Sequence, residues 1–328
     1  MVNIATKQTK QRTQKMSQYA IETIGLNKTY AANKKLKTQD KHALIDFDIK
    51  IPRGSIYGLL GPNGAGKSTF INILAGLVLK SAGLVKIWDA DLETQQRLAR
   101  ASIGIVPQEI NLDPFFTPAQ ILDIQGGLYG VRKKDRRTEE LLELVGLSDK
   151  AGAYARSLSG GMKRRLMIAK ALVHTPPILI LDEPTAGVDV ELRQMLWKNI
   201  RALNKAGTTI VLTTHYLEEA EELCDHIAII DQGKKIKDSE KHALLAQIDS
   251  KEIHITTTSE IPHAILTQFE HCSPEITAPH KITLRYNVDD TNAGKIISTL
   301  QKQKLEICDI STQEPDLEDI FISLTSKA

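Results

Sequence analysis

The run Gly61-Pro62-Asn63-Gly64-Ala65-Gly66-Lys67-Ser68 places four variable residues between its first glycine and a Gly-Lys-Ser ending. That spacing suits phosphate chemistry. Triphosphate oxygens are approached closely only by bare backbone, and glycines let successive N–H groups turn toward one phosphate. Lys67 supplies a mobile charge for the β and γ oxygens, and the Ser68 hydroxyl is placed to ligate Mg²⁺. Further along, Ile178-Leu179-Ile180-Leu181-Asp182-Glu183 reads as an apolar strand ending in two carboxylates. At a strand's C-terminal end beside the glycine loop, Asp182 would hold the metal through water and Glu183 would polarise an attacking water as general base. A third device, Leu158-Ser159-Gly160-Gly161-Met162, opens a helical stretch. A hydroxyl, exposed amides and the helix dipole together attract an anion, although the same residues also make an ordinary N-cap and tight turn.

These residues need elements to hold them. From Ile21 to about Lys237, short β-type runs alternate with helix-period segments, the pattern of an α/β domain with a mainly parallel sheet. Strands are expected at Ser55 to Leu60, Ser102 to Val106, Pro177 to Leu181, Thr208 to Thr213 and His226 to Ile230, with a helix over Thr69 to Leu79 after the glycine loop. Between Asn111 and Ser157 the pattern is helical, with Ile121, Leu122, Gln125 and Leu128 on one face and Leu141, Leu142, Val145 and Gly146 on another. Past residue 240 the chain changes to strands at Glu252 to Thr257 and Lys281 to Val288 and helices at Ala293 to Gln303 and Asp316 to Leu324. This second unit, residues 241–328, reads as a small α+β domain.

Composition sets the outer bounds. The chain has 328 residues, 42 Lys plus Arg against 40 Asp plus Glu, and a hydrophobic share of 41%. Such a chain buries a full core, and near-neutral charge excludes a generally basic nucleic-acid binder. The neutrality is a cancellation: residues 240–328 hold eight bases against fourteen acids, whereas residues 1–20 hold four bases and no acid. Residues 1–20 are expected to be a disordered basic tail and not a secretory signal, because no apolar core follows Lys7, Lys10, Arg12 and Lys15. Cys224, Cys272 and Cys308 are odd in number and widely spaced, as expected of reduced cytoplasmic thiols. No stretch approaches the roughly 18 apolar residues of a membrane span.

Taken in order, Gly61 to Ser68, Gln108, Leu158 to Met162, Leu181-Asp182-Glu183-Pro184-Thr185, Ala186-Gly187-Val188-Asp189 and His215 resemble the nucleotide-binding subunit of an ABC transporter over about residues 21–240. The resemblance implies a P-loop ATPase fold with a helical subdomain at about residues 111–158, and ATP and Mg²⁺ as cofactors. It implies nucleotide contacts from Gly61, Pro62, Asn63, Gly64, Ala65, Gly66, Lys67, Ser68 and Thr69. It also implies a homodimer closing on two ATP molecules, each site joining one chain's glycine loop to the other's Ser159, Gly160 and Gly161. Gln108 would reach Mg²⁺ and the attacking water, Asp189 would act across the dimer interface, and His215 would contact the γ-phosphate. Tyr30 resembles the aromatic that stacks on adenine, although Asn33 to His42 looks like a lysine-rich insertion before the loop.

Met162 and Val188 stand where glutamine and leucine are more frequent, as in the drug- and polysaccharide-exporting branch of the family. Gly160-Gly161-Met162-Lys163-Arg164-Arg165-Leu166 and the C-terminal Glu314-Pro315-Asp316-Leu317-Glu318-Asp319-Ile320-Phe321 resemble that branch as well. The resemblance therefore implies an exporter ATPase working with a separate polytopic permease, peripheral on the cytoplasmic face of the inner membrane. Phe115, Phe116, Leu128 and Tyr129 of the helical insertion would help to grip that partner, with most of them expected to pack inside the subdomain. The alternative, a non-transport ABC ATPase acting on nucleic acid or ribosomes, would call for heptad arms or a second glycine loop, and the sequence shows neither.

Overall fold

The computed structural model describes residues 17–32, 39–245, 250–269, 272–287, 290–313, 317–318 and 320–321. In chain order the elements are β1 (Tyr19–Tyr30), β2 (Lys41–Pro52), β3 (Ile56–Leu60), α1 (Lys67–Leu74), β4 (Ala82–Ile87), β5 (Ala90–Asp91), α2 (Gln96–Ala101), β6 (Ile103–Val106), α3 (Pro118–Leu128), α4 (Thr138–Leu144), α5 (Gly160–Ala171) and β7 (Ile178–Asp182). There follow α6 (Val190–Lys205), β8 (Thr209–Thr214), α7 (Leu217–Leu223), β9 (His226–Asp231), β10 (Lys234–Glu240), α8 (Lys241–Leu245), β11 (Ser250–Thr257), β12 (Cys272–Ala278), β13 (Lys281–Asn287), α9 (Ala293–Lys302) and β14 (Ile307–Gln313). The chain divides into two compact units, one holding residues 64–213 with the segments before Tyr57 and around Gly233, the other holding Tyr57–Asn63, Thr214–Asp231 and the chain from Lys235 onward.

In the first unit β6, β7 and β8 run parallel, with Val106 opposite Leu181 and Asp182 opposite Thr213. Ile178, Leu179, Ile180 and Leu181 are all fully buried, as expected of a strand covered on both faces. The register brings the C-terminal ends of β7 and β8 level, and that is where the acids stand. A second, antiparallel sheet, ordered β2-β1-β4-β5, goes beyond the sequence expectation of a mainly parallel fold. β1 and β2 pair antiparallel from Tyr19 with Pro52 to Tyr30 with Lys41, so Lys41 and His42 of the anticipated insertion belong to β2. Residues 33–38 of that insertion lie outside the described residues.

Two expected boundaries move. Tyr19 and Ala20 belong to β1 and Ala20 is buried, so the residues expected to form a tail already include ordered strand; residues 1–16 lie outside the described residues. The helix expected over Thr69 to Leu79 begins at Lys67 and stops at Leu74, because Gly76 turns the chain at φ +72° and leaves Leu77 and Leu79 exposed.

In the helical stretch α3 has a complete capping box, Thr117 with Gln120, and Pro118 at its first position. Ile121 and Leu122 are buried as the spacing predicts, but Leu128, Phe115 and Phe116 are exposed rather than packed, and Tyr129 is exposed with one ring face stacked on His174.

In the second unit β3 pairs in parallel with β9, Tyr57 opposite His226, and the two rings stack with centroids 6.1 Å apart. The Tyr57 hydroxyl donates to Asp238 at 2.5 Å, and burial, then the adjacent carboxylate, pushes its pKa far upward. The C-terminal sheet is antiparallel in the order β12-β13-β11-β14. Alternation along β11 and β13 sends Ile253, Ile255, Ile282 and Leu284 to one face, where Ile296 and Leu300 of α9 join the core. Sequence spacing located β11, β13 and α9 but missed β12, which alternates but carries few strongly apolar residues, and β14, which is exposed along nearly all its length. Of the last expected helix only Leu317, Glu318, Ile320 and Phe321 are described; Leu317 and Ile320 are buried.

Candidate active site

The glycine loop follows β3, all five of whose residues are buried. Gly66 has φ +113°, and a Cβ there would stand 2.6 Å from the Ala43 carbonyl oxygen, so no other residue fits without moving backbone. No side chain caps α1 at Gly66, whereas Thr117, Ser159, Asp189 and Asn292 cap α3, α5, α6 and α9. The N-terminal turn of α1 therefore opens on the loop with no capping side chain from Gly66, an arrangement that suits an anion. Lys67, at the first turn, is only 5% exposed, and burial lowers its pKa while Glu183 and Asp182 oppose that shift. The two carboxylates favour the ammonium form against the cost of its burial. Ser68 and Thr69 follow on the same helix, Ser68 exposed and Thr69 half-buried.

At the end of β7 the parallel register sets Thr213 beside Asp182, and its hydroxyl donates to Asp182 Oδ1 at 2.5 Å while accepting the Glu183 N–H at 3.2 Å. Burial raises the Asp182 pKa, with the Thr213 hydrogen bond and Lys67 working against that rise. Glu183 is 8% exposed and has φ +47°, a left-handed conformation that costs a non-glycine residue roughly 1–2 kcal/mol. Its Oε2 accepts a hydrogen bond from Gln108 Nε2 at 2.8 Å, which joins the loop after β6 to the end of β7. Sequence reasoning placed Gln108 near the reacting water; the structure brings it directly onto the carboxylate.

Arg164 was not singled out by the sequence, yet it is 3% exposed. Its Nη1 donates to the carbonyls of Pro107 at 2.7 Å and Gln108 at 2.9 Å, its Nη2 to that of Glu183 at 2.7 Å, and its Nε to that of Pro184 at 3.0 Å. The signal was present in the spacing: Arg164, Ile168 and Ala171 share the buried side of α5. Thr213 was missed too, because a threonine ending a β-branched run reads as strand.

Other expected site residues keep to separate places. The Ser159 hydroxyl accepts the Met162 N–H at 3.2 Å and Asp189 accepts the Leu192 N–H at 2.9 Å, so within one chain both are N-caps, with Gly160 and Gly161 opening α5. Tyr30 is part-exposed, and the Lys28 ammonium sits 4.7 Å from its ring centroid. His215 follows β8, its ring tilted against Tyr216 with centroids 4.1 Å apart. Gly61, Pro62 and Asn63 form the first part of the loop, Pro62 and Asn63 exposed.

The donors available to a metal are all oxygens: the Ser68 hydroxyl, the Asp182 carboxylate and the Gln108 amide oxygen, which is left over when its nitrogen turns to Glu183. That set suits a hard cation held partly by water and phosphate, as Mg²⁺ prefers. Among the described residues no group of three His, Cys, Asp or Glu side chains forms an all-protein cage.

The model of the ABC transporter family matches residues 44–186. The chain is 37% identical to the linearmycin resistance ATP-binding protein of Bacillus subtilis, over 86% of this chain and 93% of that protein. It is 34% identical to the Nod factor export ATP-binding protein I of Rhizobium etli over 96% of each, and 36% identical to a daunorubicin resistance ATP-binding protein of Streptomyces coeruleorubidus over 94% of this chain and 96% of that one. Among solved structures, an ATP-binding subunit of an ABC transporter aligns with TM-score 0.61 at 28% identity, covering 70% of this chain and 92% of the other. A dimeric ATP-binding cassette in a post-hydrolysis state with ADP and phosphate aligns with TM-score 0.60 at 26% identity, covering 67% and 98%. With the glycine loop and the Asp182-Glu183 strand end in the geometry described, the chain belongs to the ATP-binding, ATP-hydrolysing proteins of the ABC transporter family.

Proposed function

We propose that this chain is the energy-supplying subunit of an exporter, hydrolysing ATP to drive a separate polytopic membrane permease. The observation that carries the reading is the Gln108–Glu183–Asp182–Thr213 cluster at the ends of β6, β7 and β8, with the buried Lys67 charge acting on both acids. The named relatives serve resistance and export, which favours transport over an action on nucleic acid or ribosomes.

In this reading the glycine loop, Gly61 to Ser68 with Thr69, wraps the ATP phosphates, and Tyr30 meets the base. Ser68, Gln108 and Asp182 would hold Mg²⁺, which would neutralise charge building on the phosphate oxygens. Glu183 Oε2 takes the proton of the attacking water, and Gln108 orients the carboxylate and that water. Lys67 stabilises charge on the β and γ oxygens, and His215 contacts the γ-phosphate. Ser159, Gly160, Gly161 and Asp189 would complete the site of a second copy, making the working unit a homodimer. Residues 21–240 form the ATPase domain, with the helical subdomain at 111–158, and residues 241–328 an accessory α+β domain.

No described helix is long and apolar enough to cross a membrane, and in this reading the transport path belongs to the partner permease. Phe115, Phe116, Leu128 and Tyr129 are exposed on the helical stretch, Leu128 by 78%, and a groove of about 260 Å³ opens beside Tyr129, lined also by Gln125, Asn111, Lys170 and Arg100. Of the four apolar side chains only Tyr129 lines the groove; exposed large apolar side chains in such number on one stretch mark an interaction surface. A permease docked there would hold the chain at the cytoplasmic face of the inner membrane.

The test is Glu183→Gln in the full-length chain. ATP binding should stay within about threefold while phosphate release falls by at least ~10², the size of a general-base contribution. Unchanged turnover would remove Glu183 from that role.

A further inference from the structure

α5 begins at the Ser159 cap, and little more than one turn later Arg164 points the other way, into the chain's own catalytic loops. A guanidinium presents five N–H donors in a rigid planar fork, and Arg164 donates four hydrogen bonds to main-chain carbonyls at 2.7–3.0 Å. The acceptors fall in two pairs. Pro107 and Gln108 lie on the loop after β6; Glu183 and Pro184 lie on the turn after β7. The side chains of these same two segments meet in the 2.8 Å Gln108–Glu183 bond.

Burying a charge is costly, and four charge-assisted bonds to carbonyls, together with the attraction of the Asp182 carboxylate, offset that cost. The two segments it ties carry unusual geometry, since Glu183 holds φ +47°. An outlier of that kind persists only where its surroundings over-determine it, and Arg164 grips the carbonyl of that very residue.

We infer that Arg164 is a positioning residue for hydrolysis: through the carbonyls of Gln108 and Glu183 it sets the two side chains that orient the attacking water, and it ties their placement to α5. Because Ser159, Gly160 and Gly161 start the same helix, a pull on that end is delivered one turn later to the Glu183 backbone. The inference rests on the general-base role of Glu183 proposed above.

The neighbouring Arg165 supplies an internal control. Its Nη1 donates to Val145 and Gly146 carbonyls at 2.7 and 2.9 Å, at the end of α4 and away from Glu183. Lysine at either position keeps the charge and loses the fork.

The experiment measures steady-state phosphate release by the full-length chain with ATP and Mg²⁺, with rates normalised to the number of chains that bind ATP, so that a fraction misfolded does not enter kcat. Arg164→Lys should lower kcat at least ~10-fold with KM for ATP within about threefold, and Arg165→Lys should leave both within about threefold. In the Glu183→Gln background, Arg164→Lys should change the residual rate by less than about threefold, since its effect runs through the carboxylate already removed. Arg164→Gln, which retains two N–H donors, serves with the same thresholds if the lysine variant does not fold. A kcat for Arg164→Lys within threefold of the parent overturns the inference, and so does an equal fractional loss in the parent and Glu183→Gln backgrounds. The general-base reading fails separately, if Glu183→Gln alone leaves turnover unchanged.

Discussion

The ends of β6 and β7 and the C-terminal sheet use charge in opposite ways. At the former, Lys67, Arg164 and Glu183 are all at least nine-tenths buried, and Asp182 sits beside them with its pKa raised by burial. In the sheet formed by β11 to β14, the inner face is Ile, Leu and Tyr, while Glu252 and Arg285 form an ion pair on the other face, with His254 Nε2 3.4 Å from Glu252. No described Asp, Glu, Lys or Arg of that sheet is buried. Burying charge costs stability, so a chain does it where the charge acts on something. The C-terminal sheet of the same chain keeps its charges at the surface and its core apolar.

That comparison can be broken by separating activity from stability. The largest effect is expected from Asp182→Asn, which should cut phosphate release about 10³-fold, because a mispositioned Mg²⁺ forfeits several kcal/mol of charge stabilisation. Yet it should leave the unfolding temperature at neutral pH unchanged or higher. The raised pKa means that the ionised form is disfavoured in the fold at pH values above it, so a neutral isostere removes a cost. A large fall in stability would break the comparison. Ile255→Ala should do the reverse, destabilising by about 2–4 kcal/mol in chemical unfolding of the C-terminal core while kcat per folded chain stays within about twofold.

The smallest effect concerns His174, whose Nε2 bonds the Ile103 carbonyl at 3.0 Å and whose ring stacks on Tyr129 at 3.7 Å. Burial lowers its pKa, so the unfolded chain takes up the proton first; stability should fall as pH drops below about 6.5, the unfolded value, and level off below the folded one. His174→Gln should flatten that slope by under ~1 kcal/mol, read from denaturant midpoints between pH 5 and 8.

The chemistry of the site was legible because it depends on residue types at fixed spacing. The loop from Gly61 to Ser68 and the pair Asp182-Glu183 need no tertiary information to be noticed. Arg164 and Thr213 were hidden for the opposite reason: each acts by meeting backbone or side chains from segments distant in sequence. In the basic triplet Lys163-Arg164-Arg165 only packing of α5 decides which residue turns inward. The parallel strands were equally legible from their apolar runs, whereas β2, β12 and β14 mix polar and apolar residues. Expecting Leu128, Phe115 and Phe116 to fill a core assumed that apolar means inside, a rule that works in one direction only.

Four helices of this chain carry a threonine, serine, aspartate or asparagine that closes their first turn, and α1 carries only Gly66. α2, α4 and α7 also lack a side-chain cap, but α1 is the uncapped helix that opens on the glycine loop, and its first turn is left to be finished by phosphate. Triphosphate is then a folding partner as well as a fuel, and local order around Gly66 becomes a function of how much nucleotide surrounds the protein.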